Sequence, residues 1–306
     1  MAPRMPVAFL SALALLAAPG PAWSQAVANS ETDLSVAHPA YPTGAGPVVA
    51  LDEGHHNYHT LEGRYAPFAA VLRHDGYRVS ALRGEFSAAK LSTVRVLVIA
   101  NALAPSNAQS WKLPTPSAFA PAEIAAVQAW VKGGGALFLI ADHMPFAGAA
   151  TDLAKAFDFA FENVAAVKGD GRTPEIFTPG DGTLVESPIT RGSGRAAPVS
   201  EAQTFTGSAF RAPAGAIPIL RLDEGWALLY PSEWAKFDPE TPRRAATRDD
   251  LRAAALVYGK GRIVVVSEAA MFTNQLVKGA PYGFGQPSAR QDKQLLLNIV
   301  EWLTAR

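Results

Sequence analysis

Four apolar runs in this chain each give way to a polar residue at their C-terminal end, and this repetition constrains the fold more than any other feature. They are the VVAL of PVVALDEG (47–54), the VLVIA of VRVLVIAN (94–101), the LFLIA of ALFLIADH (136–143) and the IVVV of GRIVVVSEA (261–269). Short runs this rich in branched side chains read as strands buried on both faces. Helical patterns lie between and after them. GRYAPFAAVLRHDG (63–76) stops at Gly76, and PAEIAAVQAWVKGGG (121–135) spaces Ile124, Val127, Trp130 and Val131 along one face. GAATDLAKAFDFAF (148–161) follows the third run, and RQDKQLLLNIVEWLTAR (290–306) closes the chain with Leu295, Ile299 and Leu303 on one side. YRVSALRG (77–84) supplies a further strand, and RAAALVYGKGRIVVVSEA (252–269) a β-hairpin turning at Gly259-Lys260-Gly261. Strands alternating with helices predict an α/β fold with a mostly parallel sheet covered on both faces.

Two stretches depart from the alternation. Residues 104–121 carry four prolines and read as a loop leading into a helix. Residues 162–250 are rich in Gly, Pro, Ser and Thr, with strand candidates at 203–209, 217–222 and 226–231. They read as an irregular insertion or an extension of the same sheet. Arg243-Arg244 and Asp249-Asp250 within it read as a solvated loop.

The N-terminus has the secretory pattern. Arg4 precedes the apolar VAFLSALALLAA (7–18), and Ala22 and Ser24 are the small residues before a cleavage point. The run is too short to span a bilayer. Residues 1–24 are expected as a signal peptide, 25–45 as a linker and 46–306 as one domain, in the periplasm or secreted. Lysine plus arginine number 27, as do aspartate plus glutamate, and removing Arg4 with the leader leaves about −1. That balance gives no support to nucleic-acid binding. The chain has no cysteine, so thiol catalysis is excluded.

In an open α/β sheet, ligands bind beyond the carboxyl ends of the strands. Polar residues there form one rim: Asp52-Glu53-Gly54-His55, Asn101, Asp142-His143 and Ser267-Glu268. LDEGHHNYHT (51–60) holds three of the six histidines. His55 and His59, four residues apart, suit a shared divalent metal if the loop turns helical there, with Asp142 as a third ligand and zinc favoured. No glutamate stands between the histidines as in HExxH. The same rim also works without metal. Glu53, His143 and Glu268 are the candidate catalytic acid–base groups, and Asn57 and Asn101 the candidate substrate-binding amides. Capping of loops and helices is the competing role for Asp52, Asn101 and Asp142.

The segments LDEGHHNYHT–GRYAPFAAVLRHDGYRV, WVKGGGALFLIADHMPFAGAATDLAKAF, TFTGSAF, YGKGRIVVVSEAAMFTNQ and LLLNIVEWL occur in order. Together they resemble a poorly characterised bacterial family of secreted class I glutamine amidotransferase-like proteins. The resemblance implies a flavodoxin-like three-layer sandwich. It does not imply glutaminase activity, because Asp142-His143 stands where those enzymes carry the cysteine nucleophile. Cysteine-free relatives, including trehalose-utilisation-like proteins and modules associated with ABC transporters, divide between sugar chemistry and binding without catalysis. The expected function is hydrolysis of a small polar substrate, a carbohydrate among the candidates, with or without a divalent metal. The alternative is a ligand-binding module of an envelope transport or assembly system; the sequence identifies no protein partner.

Overall fold

Arg78–Leu82, Val48–Asp52, Val96–Ala100, Ala136–Ile140 and Gly261–Val266 lie side by side in that order, every neighbouring pair parallel. Counted along the chain, this is the 2-1-3-4-5 order of the flavodoxin-like doubly wound sheet. The computed structural model describes residues 27–171, 173–193 and 196–305. The expected leader lies outside the described residues.

The two-residue period of the strands divides the core between the faces of the sheet. Leu51, Val98, Phe138, Ile140, Val264 and Val266 pack with Phe68, Val71 and Leu72 of the Ala66–His74 helix and with Leu296 and Ile299 of the Asp292–Thr304 helix. Leu97, Ile99, Leu137, Leu139, Ile263 and Val265 pack with Val127 and Val131 of Pro121–Lys132 and with Leu153 of Phe146–Lys155. The three-layer α/β sandwich expected from the alternation is the fold observed.

The hairpin is also present. Leu251–Tyr258 pairs antiparallel with Gly261–Val266. At its tip Gly259 has φ +59°, and Gly261 runs so close to Val131 that a Cβ would collide with the Val131 carbonyl. Ala209–Arg211 and Ile217–Arg221 both pair antiparallel with Leu251–Tyr258, and Ala160–Glu162 continues the sheet beyond Ala209–Arg211. The irregular stretch 162–250 thus extends the main sheet. It also forms a three-stranded sheet from Ala165–Lys168, Trp226–Leu229 and Arg243–Ala245, and pairs Glu175–Phe177 with Ala202–Thr204.

Two local readings differ from expectation. The polar arm, from Val27 onward, is strapped to the domain: Val27–Ala28 pairs with Asn274–Val277, and Lys293 Nζ donates to the carbonyls of Asp33 and Ser35. Leu34, Val36 and Tyr41 pack against the core, apolar anchors that the surrounding Pro, Gly and Ser obscured. Asp250 is buried, whereas a solvated loop was expected. Both its carboxylate oxygens accept from Arg244 at 2.7 Å, and Oδ2 closes a turn by accepting from Thr247 N. Among the described residues, no helix is long and apolar enough to cross a membrane.

Candidate functional site

The first strand delivers its polar tail to the switch point between Val48–Asp52 and Val96–Ala100, and the tail splits into two clusters with different surroundings. His55 turns away from the rim. Its Nδ1 meets both carboxylate oxygens of Asp52 at 2.9 and 3.0 Å, and its Nε2 meets Glu123 Oε1 at 2.9 Å. Carboxylates only accept, so both ring nitrogens carry protons. Burial alone would lower the His55 pKa, but the hydrogen bonds and charges of Asp52 and Glu123 outweigh it and the pKa is raised. Phe86 and Phe119 pack around the ring. Glu123 sits in the first turn of its helix, where it also accepts from Ala120 N and Phe86 N. Asn57 belongs to this lock, accepting from His55 N and donating to Asp52. Glu53 points elsewhere, accepting from Leu61 N and Arg83.

His59 joins the second cluster. The loop is not helical between the two histidines, and His56 has φ +45° in the left-handed region, so the i, i+4 spacing does not bring His55 and His59 together. His59 is buried, stacked on Tyr65 with ring centroids 4.5 Å apart, and its Nδ1 has no hydrogen-bond partner. Burial, followed by the charges of Arg64 and His143, lowers its pKa to about 3.

A small cavity of about 20 Å³ lies here, roughly the room one water needs. Its walls include His59, Arg64, Asn101, Asp142, His143, Thr206 and Gln275, with Tyr58, Trp111 and Phe146 as the apolar side. Asn101, at φ +51°, ends its strand in a left-handed turn, and its Oδ1 accepts from Asp142 N at 2.9 Å. Asp142 accepts in turn from His143 N at 2.7 Å and from the Thr206 hydroxyl at 3.2 Å. His143 Nδ1 lies 2.6 Å from the Met144 carbonyl, which can only accept, so the proton sits on Nδ1 and Nε2 carries the lone pair. Burial lowers the His143 pKa, partly offset by Asp142, so the imidazole is neutral at pH 7. The Trp234 ring lies flat on it, at a centroid distance of 3.3 Å.

Glu268 stands behind the cavity, fully buried. Its two oxygens accept from Ala270 N and Met271 N at 2.7 and 2.8 Å, which shapes the turn that brings Ala270 to the cavity wall. Burial, then the charge of Asp142, pushes its pKa well up.

Of the expected site residues, His59, Asn101, Asp142 and His143 therefore converge, with Glu268 at their back. Glu53, Asn57 and His55 do not. The expected metal set of His55, His59 and Asp142 is corrected: both nitrogens of His55 are committed to carboxylates, and two side chains are too few to hold zinc. Among the described residues, no group of three or more His, Asp or Glu is placed to hold a metal ion. Sequence reasoning missed Thr206, Gln275 and Arg64. The Trp111 and Trp234 rings, which both pack on His143, also lie outside the expected set.

Solved structures share the fold at low identity. The mmIFT52 N-terminal domain is similar with a TM-score of 0.59 and 13% identity, over 84% of this chain and 98% of that one. The cytoplasmic protein STM1381 from Salmonella typhimurium LT2 has a TM-score of 0.52 and 14% identity, over 84% and 99%. A looser likeness, to a ThuA-like protein from Bacteroides uniformis ATCC 8492, has a TM-score of 0.46 and 12% identity, over 90% and 95%, and adds nothing to the fold assignment. No curated protein sequence matches. The expected membership among class I glutamine amidotransferase-like proteins is overturned, since no such family matches. The family model that does match, described as "Domain of unknown function (DUF4350)", covers residues 65–280, more than half of the chain, and the chain belongs to that family.

Proposed function

We propose that the cavity at the carboxyl edge is the active centre of a metal-free hydrolase acting on a small polar substrate. The observation that carries the reading is the state of His143. A buried, neutral imidazole with its proton fixed on Nδ1 presents Nε2 as a base, beside a carboxylate that stabilises the imidazolium formed when it works. In the reaction, Nε2 takes a proton from the attacking water and returns it to the leaving group as the scissile bond breaks. Asp142, held by Asn101 through its backbone N–H and by the Thr206 hydroxyl, supplies the compensating charge. Glu268 is a positioning residue, because it does not line the cavity. We also place the protein in the periplasm or outside the cell, on the strength of its N-terminal sequence alone.

The test is a screen of p-nitrophenyl esters and glycosides with the wild type and His143→Ala, with circular dichroism to show that both are folded. Loss of the general base predicts a fall of about a hundredfold or more. Turnover by the wild type should fall on the acid side with its midpoint below 6.5, because burial depresses the His143 pKa. Turnover retained in His143→Ala, or an inflection above 6.5, would refute the mechanism. Ligand binding with no turnover of any substrate would favour the ligand-binding module instead.

A further inference from the structure

A second, larger cleft adjoins the cavity, and its walls have chemistry of their own. It encloses about 190 Å³, space for roughly six water molecules. Thr206 lines both spaces, and Trp234, whose ring covers His143, forms part of the cleft wall. Glu175 supplies a carboxyl group to its side. Its Oε2 accepts from Thr204 Oγ1 at 2.5 Å and from Arg252 at 3.2 Å, leaving Oε1 as its remaining acceptor. Arg252 is fully buried behind it, donating also to the Ser208 carbonyl and lying over the Trp226 ring, so the carboxyl group is held rigidly. Lys168, Gln203, Thr204 and Thr206 complete the polar lining. Gln203 is 5% exposed, and its Oε1 has no hydrogen-bond partner.

We propose that this cleft is a recognition subsite for an uncharged, hydroxyl-rich fragment of the ligand, a sugar or polyol, whose reacting end reaches His143 past Thr206. The proposal rests on the active-centre reading above and names its substrate class. The chemistry of the wall decides the class. A carboxyl group and an ammonium group line the same small cleft, so an anion meets Glu175 and a cation meets Lys168, each at a cost. A hydroxyl both donates and accepts, and it satisfies Glu175 Oε1 and Lys168 Nζ alike. Burial, partly offset by Arg252, brings Glu175 to a pKa of about 7, so the group can serve as donor or acceptor to such a partner. Trp234 adds an aromatic surface at the rim, the usual complement to the C–H face of a sugar ring.

The proposal is tested by saturation-transfer NMR on the whole chain with D-glucose, myo-inositol and erythritol as probes, and with inorganic phosphate and ethanolamine as charged comparisons. Saturation transfer is expected to at least one neutral polyol and to neither charged probe. Glu175→Gln keeps an oxygen for Arg252 and Thr204 but loses the carboxyl, and should weaken polyol binding about tenfold. Thr173→Trp, at an exposed position on the cleft wall, should block it without touching the core. No transfer to any polyol, unchanged binding in Thr173→Trp, or displacement of the polyol by phosphate or ethanolamine would overturn the proposal. The two readings fail separately. Polyol binding by the wild type, lost in Thr173→Trp, with no turnover of any substrate removes the hydrolase and leaves the subsite; turnover without polyol binding does the reverse.

Discussion

His59 and Glu175 are buried on either side of Thr206, and burial pushes their pKa values in opposite directions. Desolvation disfavours whichever form is charged, so it drives histidine down and glutamate up. His59 falls from 6.5 to about 3 and Glu175 rises from 4.5 to about 7. The sign of each contribution to stability follows from proton counts. Between pH 3 and 6.5 the unfolded chain protonates position 59 and the native protein does not, so the contribution of His59 is full above 6.5 and is lost as pH falls through that window. Between 4.5 and 7 the native protein protonates Glu175 and the unfolded chain does not, so its contribution is full below 4.5 and is lost as pH rises. The windows overlap from 4.5 to 6.5. There each group changes stability by at most about 1.4 kcal/mol per pH unit, with opposite sign, and by about 1.2 kcal/mol between pH 5 and 6 because both unfolded references are partly titrated.

The wild type therefore conceals two slopes that nearly cancel, and single variants uncover them. His59→Phe keeps an aromatic ring against Tyr65 and cannot titrate. Its stability relative to wild type should fall by about 1.2 kcal/mol as pH goes from 5 to 6. Glu175→Gln should show the opposite, gaining about 1.2 kcal/mol over the same step. Urea unfolding at pH 5.0, 5.5 and 6.0 measures both, and any packing defect enters as a constant that leaves the slope alone. If His59→Phe runs parallel to wild type, His59 is not held neutral by burial, and the cavity lacks the uncharged imidazole lining that its geometry implies.

Further outcomes are expected elsewhere. Glu123→Ala should destabilise by roughly 3 kcal/mol, because it strands the protonated His55 ring and two backbone N–H groups. In a double-mutant cycle, His55→Ala should cost much less on the Glu123→Ala background than on wild type; additive losses would disprove the lock. Protein refilled with zinc and desalted should hold well under one equivalent by elemental mass spectrometry. One zinc that disappears in a His55→Ala/His59→Ala variant would restore the ligand set that the hydrogen bonds of His55 exclude. Expressed with its leader in a Gram-negative host, the chain should begin at Gln25 by N-terminal sequencing; an intact Met1 would refute the secretory reading.

The fold was legible because its signals are local. VLVIA and LFLIA are short, apolar and rich in branched side chains, as buried strands are, and VLVIA is followed by a helix with its own glycine stop. The rim was legible for the same reason, since strand ends are marked by the first polar residue, and Asn101, Asp142 and His143 were found that way. Direction was not legible. Whether His55 faces the rim or the Pro121–Lys132 helix depends on the backbone turn after Gly54 and on Glu123, 68 positions away in sequence. Thr206 carried no signal, because a threonine between two short strands looks like any turn residue. Trp234 carried a weak one, as a large aromatic in a polar loop, and only tertiary structure puts it on His143.

The split of the 51–60 stretch into two clusters has a mechanical consequence. Asp52, His55 and Glu123 tie the end of the first strand to the start of a helix on one face of the sheet, and the loop's backbone is sewn to the segment just after Val96–Ala100 by Leu103 N to the His55 carbonyl and Tyr58 N to the Asn101 carbonyl. Tyr58 and His59 are thereby held against a cavity whose opposite wall comes from the fourth strand and from the Thr206 loop. A histidine used this way is a fastener, and its raised pKa measures how firmly the two carboxylates hold it. The neighbouring histidines of the cavity have lowered values because burial penalises the charged ring: the charges of Arg64 and His143 add to this at His59, while Asp142 and the Met144 carbonyl offset it only in part at His143. One short stretch rich in acids and histidines thus divides its chemistry by environment: the charged imidazole fixes the loop, and neutral imidazoles line the site that the loop encloses.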